Sequence, residues 1–351
     1  MRTYFYIASM TKDNGIQAIR LDRFPFHDKA RDVLLVPYLD ITAEDQPIDF
    51  LFSLGGKYGL IARANLHTLQ GTKKAGKSAA GLALIVAALK GEFLELTPSR
   101  PDLSILWIDT EQDRNTLRQK AKAVLSMAEL DTPPERLSVV TLRGIGGPED
   151  AIRLTLRAIE EKKPDFVFLD GVVDLCRSFN DEEKSREVVR QLEACAERHE
   201  AAILGLIHTN KRDNEARGHL GAILQQKSAE IYQVTKEGNT AKITQPFSRF
   251  APVPPFSFTF ADDFKIAASG NTELERWAAL HREFAPLFVG TKRLTANELI
   301  TVYGNYHQRC RRKAQEAMSA AAAAHVLDKY AEGRRVYYSI PFQDINEDDD
   351  I

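Results

Sequence analysis

The sequence predicts an α/β protein built on a mostly parallel sheet, and three observations carry that expectation. Between about 58 and 260, short apolar runs alternate with helical segments, the pattern of strands joined by crossover helices. The runs LSILWIDTE, PDFVFLDGV and AAILGLIH are apolar on both faces, as strands covered by helices on either side must be. A glycine-rich loop, GTKKAGKS, falls between one such strand and a helix of small residues.

The elements follow in order. Residues 1–50 are mixed, with TYFYIA and VLLVPYLDI read as short strands and DITAEDQPID as a polar linker. ANLHTLQG is a strand ending in glycine, and KSAAGLALIVAALKG a helix. LSILWIDTE is a buried strand, followed by the charged helix RNTLRQKAKAVLSMAEL. LSVVTLRG is a further strand, and a helix over about 148–161 leads into PDFVFLDGV. The helix SREVVRQLEACAERH then precedes AAILGLIH. AEIYQVTKEG, NTAKITQPF and FSFTFAD read as antiparallel strands or hairpins closing one side of the sheet. DDFKIAASGNTE turns polar and small, as a linker does. Residues 273–340 carry helical patterning (ELERWAALHREFAPLF, TANELITVYG, YHQRCRRKAQEAMSAAAAAHVLDKYAEG) and then the short strand GRRVYYSI. Helices followed by a β-wing suggest a small winged-helix module. The acidic stretch 341–351 reads as a disordered tail. The expected division is therefore a segment 1–50, a core 51–262, a module 273–340 and the tail.

At 351 residues, the chain is long enough for one large core plus such a module. The hydrophobic share of 44% fits a protein that buries a full core. A formal net charge of −2 excludes coating nucleic acid by bulk charge and leaves room for a local basic path. Cys176, Cys195 and Cys310 lack C-x-x-C spacing and are expected as buried, reduced thiols in a cytoplasmic protein. The N-terminus has no signal-peptide core, and stretches such as AAILGLI are too short to span a bilayer, so no membrane role is expected.

GTKKAGKS satisfies G-x-x-x-x-G-K-[ST] with a strand ahead and a helix behind. Gly71 and Gly76 let the backbone curl so that successive N–H groups face one phosphate chain, and the helix points its positive end there. Gly71, Thr72, Lys73, Lys74, Ala75, Gly76, Lys77, Ser78 and Ala79 form the expected cradle. Lys77 is expected on the β- and γ-phosphates and the Ser78 hydroxyl on Mg²⁺. Asp170 ends FVFLD, where a carboxylate that helps hold Mg²⁺ belongs. Glu111 ends LSILWIDTE, where a carboxylate can orient or deprotonate the attacking water. Asp109, on the same face by the period of a strand, and Asp113 are its rivals. Asp174, one helical turn beyond Asp170, reads as a cap or a surface charge.

The order GTKKAGKS, WIDTE, FVFLD, ILGLIHTNK resembles the RecA-like P-loop ATPases over roughly residues 50–260, and most of all the group of hexameric replicative helicases with the plasmid RepA-type helicase. The resemblance implies a RecA-like P-loop NTPase core, ATP with Mg²⁺, a homo-oligomeric ring and single-stranded DNA as partner. It makes Glu111 the catalytic glutamate and His208 a polar sensor of the γ-phosphate, with Asn210 nearby. It also implies a cation inserted into the neighbouring subunit's site; by position, Arg249 and Lys236 are candidates and Arg217 a third. Lys73 and Lys74 are a departure. The extra lysine of the partition ATPases falls one position earlier, where this chain has Thr72.

Lys211, Arg212 and Arg217 follow the His208 strand in a polar loop that lines the nucleic-acid channel in such proteins. With no aromatic among them, backbone contact rather than base stacking is expected. In the C-terminal module, QRCRRK is the densest basic cluster, and Arg334 and Arg335 fall in the wing. That module suits contact with DNA or with a replication or mobilisation protein equally well. Two functions follow: an ATP-driven helicase or translocase of a plasmid or mobile element, and a regulatory ATPase that switches partner binding without unwinding. A recombinase-like filament former ranks third.

Overall fold

The structure is a computed structural model that describes residues 5–10, 16–21, 27–28, 33–34, 42, 46–209, 216, 218–269, 272–289, 293–324, 326–332 and 335–340. The chain divides into two compact units, Met1–Asp49 and Phe50–Ile351. In the first, β1 (Phe5–Met10) pairs antiparallel with β2 (Ile16–Leu21), and β3 (His27–Asp28) with β4 (Val33–Leu34). Most of the expected strand VLLVPYLDI lies outside the described residues.

The second unit opens with β5 (Phe50–Leu54) and β6 (Tyr58–Ala62), an antiparallel pair joined by β8 (Leu96–Pro98) into a small sheet. The main sheet takes β7 (Leu66–Gly71), β9 (Ile105–Asp109), β10 (Leu137–Thr141), β11 (Phe166–Asp170) and β12 (Ala202–His208). Between them run α1 (Lys77–Lys90), α2 (Arg114–Met127), α3 (Pro148–Lys162) and α4 (Glu182–His199). Helix α5 (Gly218–Lys227) leads into β13 (Glu230–Glu237), β14 (Thr240–Ser248), β15 (Phe256–Phe260) and β16 (Ile266–Ala268). The strand order is β10-β9-β11-β12-β7-β13-β14-β15-β16.

Strand alternation builds the three layers. Ile105, Trp107, Phe166, Phe168 and Leu204 face one core with α1 and α2, while Leu106, Ile108, Val167, Leu169 and Ile203 face the other with α3, α4 and α5. All strands from β10 to β13 run parallel, and β14 to β16 add antiparallel. AEIYQVTKEG and NTAKITQPF form the expected antiparallel hairpin, β13 with β14, and β13 also runs parallel to its other neighbour β7, because α5 carries the chain back across the sheet before it starts. One expectation changes here. The polar stretch expected as a linker contains β16, held against β15 by backbone pairing that needs no apolar signature.

The C-terminal elements are α6 (Thr272–Phe284), a 3-10 turn at Ala285–Phe288, β17 (Leu294–Thr295), α7 (Ala296–Tyr306), α8 (Arg311–Ala323), β18 (Asp328–Glu332) and β19 (Arg335–Ser339). The three strands form one sheet in the order β17-β19-β18. DKYAE, expected within a long helix, is strand β18, since α8 stops at Ala323 and the backbone recruits DKYAE to pair with β19. Trp277 packs edge-on against Tyr58 at 5.1 Å and joins the core of the sheet's first face. Cys176 and Cys195 are buried as expected, but Cys310 is exposed, at the start of α8. No helix among the described residues is long and apolar enough to cross a membrane.

Candidate active site

Four neighbouring strands end on the residues singled out by chemistry or beside them: β7 on Gly71, β9 on Asp109, β11 on Asp170 and β12 on His208. Asp170 stands level with Asp109, and His208 level with Gly71, so the carboxyl end of the parallel sheet gathers these groups.

The phosphate loop has the expected form. Gly76 starts α1 with φ +105°, and a Cβ there would lie 2.7 Å from Phe260 Cζ, so a side chain is excluded twice over. Helix α1 has no side-chain cap and no acid in its first turn, leaving its N–H groups free to meet an anion. Lys73 and Lys74 are exposed, Lys74 at φ +68°, and Ala75 is buried with its N–H on Thr72 O at 3.2 Å. Lys77 lies back along the loop and donates to Gly71 O at 2.8 Å, Thr72 O at 3.0 Å and His208 Nδ1 at 2.9 Å. Burial pulls its pKa down to about 8, against the opposing pull of Asp170 and Glu111. Since an ammonium has no lone pair, Nδ1 of His208 is the acceptor.

The acids sit opposite. Asp170 is 5% exposed; burial raises its pKa, and a hydrogen bond from Ser78 opposes that. Asp109 is fully buried, its pKa raised by burial against the hydrogen bond it accepts from Gln112. Oδ2 of Asp109 and Oδ2 of Asp170 are both buried without a hydrogen-bond partner. Unpaired buried oxygens of this kind are costly and fit a bound cation. Among the described residues no group of three or more His, Cys, Asp or Glu forms a metal cluster.

Glu111 is exposed, two residues beyond the last residue of β9, within electrostatic reach of Asp174, Asp109 and Lys77. Partial loss of water raises its pKa, with Asp174 and Asp109 adding to the shift and Lys77 opposing it. Its rivals have other work. Asp109 Oδ1 accepts from Glu111 N at 3.0 Å and Gln112 N at 2.7 Å, pinning the turn. Asp113 caps α2, accepting from Asn115 N and Thr116 N.

The remaining expected residues divide. Lys236 lies 4.1 Å over the Phe260 ring, beside the same ring that closes on Gly76. Arg249 follows Ser248, which pairs with Glu230 at the start of β13, so it stands at the far end of the sheet, with its guanidinium on Lys227 O at 3.2 Å. It does not join its own chain's phosphate loop. Asn210, Lys211, Arg212, Arg217 and Arg334 lie outside the described residues. Asp174 is not a cap: it accepts the Thr110 hydroxyl at 2.7 Å.

Sequence reasoning missed Lys120, which is 8% exposed and acts electrostatically on Asp109, Glu111 and Asp170. A signal existed, because Lys120 shares the helical stripe of Leu117 and Val124, where an apolar residue belongs. It also missed a chain of amides beneath the loop, from Gln225 to Gln70 and from Gln70 to Gln233, each at 2.9 Å.

Fold and site together have the form of a RecA-like P-loop core, a mostly parallel sheet with the glycine-rich loop and the acids at its carboxyl end. Residues 45–214 match the family described as an AAA domain. Among solved structures the chain is similar to the RadB recombinase, at 14% identity over 60% of this chain and 93% of that one, with a TM-score of 0.42. No curated protein matches it.

Proposed function

We propose that the chain hydrolyses ATP with Mg²⁺ and acts in the cytoplasm as an oligomeric DNA translocase or helicase of RepA type, serving replication or mobilisation of a plasmid or mobile element. The observation that carries this reading is the three-way hold on Lys77. Its ammonium is shared between two phosphate-loop carbonyls and His208. A γ-phosphate attracts that ammonium more strongly than neutral acceptors do. Moving Lys77 to phosphate breaks its hydrogen bond to His208 Nδ1. In sequence, His208 is followed within nine residues by Lys211, Arg212 and Arg217.

The start of that loop is tied to the phosphate loop. Thr209 N donates to Gly71 O at 3.1 Å, the same carbonyl that accepts from Lys77, and Thr209 bridges Ala216 across the loop's neck. Nucleotide state and loop position therefore share one carbonyl. Ser78 and Asp170 would hold Mg²⁺, with Asp109 Oδ2 beside them; the ion, when bound, neutralises phosphate charge. Glu111 takes the role of orienting and deprotonating water. A cation from a second copy, Arg249 or Lys236, would complete the site in a ring.

The test is phosphate release with and without single-stranded DNA for wild type and Lys77→Ala. Several-fold stimulation that Lys77→Ala abolishes supports the motor. Hydrolysis indifferent to DNA replaces it with the regulatory switch.

A further inference from the structure

Glu111 must be held still to aim a water, yet it follows a strand end and is exposed. What fixes it lies one residue before. Thr110 is 6% exposed; its N–H donates to Asp170 O at 3.1 Å, and its hydroxyl faces three acceptors: Asp174 Oδ2 at 2.7 Å, Gly171 O at 3.0 Å and Asp170 O at 3.2 Å. A hydroxyl has one proton to give. The carboxylate is both nearest and charged, so it takes the dominant share.

We propose that Asp174 is a positioning residue for Glu111, acting through the Thr110 hydroxyl to bolt the end of β9 to the end of β11. Three further observations support this. The hydrogen bond on the Asp174 carboxylate comes from across the two strand ends, from Thr110, and not from its own 3-10 turn at Val172–Leu175. Gly171 has φ +109°, and a Cβ there would lie 2.1 Å from Thr110 Oγ1 and 3.1 Å from Glu111 Cγ; the two strand ends are packed as closely as a bare backbone allows. On the other side of Thr110, Asp109 grips the next two N–H groups, so the peptide carrying Glu111 is clamped from both directions. The consequence is that Glu111 moves with β11, the strand that carries Asp170.

This inference rests on the reading of Glu111 as the water-orienting residue, and the experiment separates the two. Steady-state ATP turnover is compared for wild type, Glu111→Gln, Asp174→Ala, Thr110→Val, Thr110→Ser and the Asp174→Ala/Thr110→Val double variant, with nucleotide affinity measured on each by a fluorescent ATP analogue. Asp174→Ala and Thr110→Val should each lower kcat about tenfold with KM and affinity within twofold, because misplacement by a fraction of an ångström costs rate rather than binding. Thr110→Ser, which keeps the hydroxyl, should restore most of the rate. The double variant should be no slower than the slower single one, since both cut the same link. Hydrogen exchange across residues 108–115 should quicken in Asp174→Ala. An Asp174→Ala enzyme within twofold of wild-type kcat, multiplicative losses in the double variant, or affinity falling in step with kcat would each overturn the proposal. A wild type without turnover sinks the hydrolysis reading instead, and unchanged exchange at 108–115 then overturns the clamp on its own.

Discussion

The two ends of the central sheet both bury charged groups, and they treat them in opposite ways. At the carboxyl end, Asp109 and Asp170 each keep one buried oxygen without a partner, and Lys77 is held with its pKa lowered to about 8. At the amino end, Asp165 accepts from Arg63 at 2.7 Å, from Ser104 N at 2.8 Å, from Ser104 Oγ at 2.9 Å and from Arg100. Burial acts to raise the pKa of Asp165, yet these donors outweigh it and hold the carboxyl below its usual range. Nearby in the sheet, the fully buried Glu230 accepts from Ala62 N at 3.0 Å, Tyr232 Oη at 2.7 Å and Gln245 Nε2 at 3.0 Å. His67 Nδ1 stands 3.1 Å from Oε2, out of line for a hydrogen bond. A buried polar atom without a partner costs about 1–3 kcal/mol. The difference lies in the carboxylates: at the carboxyl end two of their oxygens stay open to a ligand, while at the amino end Asp165 and Glu230 are held by several donors each.

That contrast can be broken in several places. The largest expected effect is on rate: Glu111→Gln should lower turnover by about 10²–10⁴-fold, with the melting temperature almost unmoved. Parallel loss of fold and activity would mean that the carboxyl end is structural too. At the other end, Glu230→Ala should lower stability by about 3 kcal/mol, because three donors lose their acceptor in a dry interior. Urea unfolding measures it, and an unmoved midpoint would remove the network from the structural account. Asp165→Asn should cost less, about 1–2 kcal/mol, since Arg63 and Arg100 are 20% and 45% exposed and regain water.

The smallest effect has the opposite sign. Lys77→Met should stabilise the nucleotide-free protein at pH 7 by about 1 kcal/mol, since the burial penalty on the ammonium exceeds what its contacts return. The pH dependence follows from the lowered pKa. Between about 8 and the ordinary value of 10.5, the unfolded chain holds a proton that the folded protein has lost. Wild-type stability therefore rises across that window, and the advantage of methionine shrinks. Melting curves at pH 7 and pH 10 check it; an advantage that grows with pH contradicts the cause given for the shift.

Much of this site was legible without coordinates. GTKKAGKS announces a phosphate loop because few other uses demand two glycines and a lysine at that spacing, and Gly76 and Lys77 stand where the motif requires. Asp170 and His208 were legible as strand ends because apolar runs mark strands clearly. The division of labour among Asp109, Glu111 and Asp113 was not. All three are acids within five residues, and only the backbone hydrogen bonds show one pinning a turn, one capping a helix and one left within electrostatic reach of Lys77. Asp174 is the exposed charge that the sequence allowed, but its partner was hidden for the same reason: Thr110 is 64 residues away in sequence.

Local chemistry therefore decided what the chain declares by itself: periodicity gave the strands and helices of the core, and the glycine-rich loop gave the phosphate cradle. These signals rest on neighbours in sequence, where the chain's own geometry limits the alternatives. The tertiary structure alone decided that β13 joins parallel, that DKYAE pairs as a strand, that Lys120 turns inward and that Arg249 stands at the far end from its own phosphate loop. Each depends on which distant segment comes to lie alongside, and that is settled by the packing of the whole sheet rather than by any window of residues.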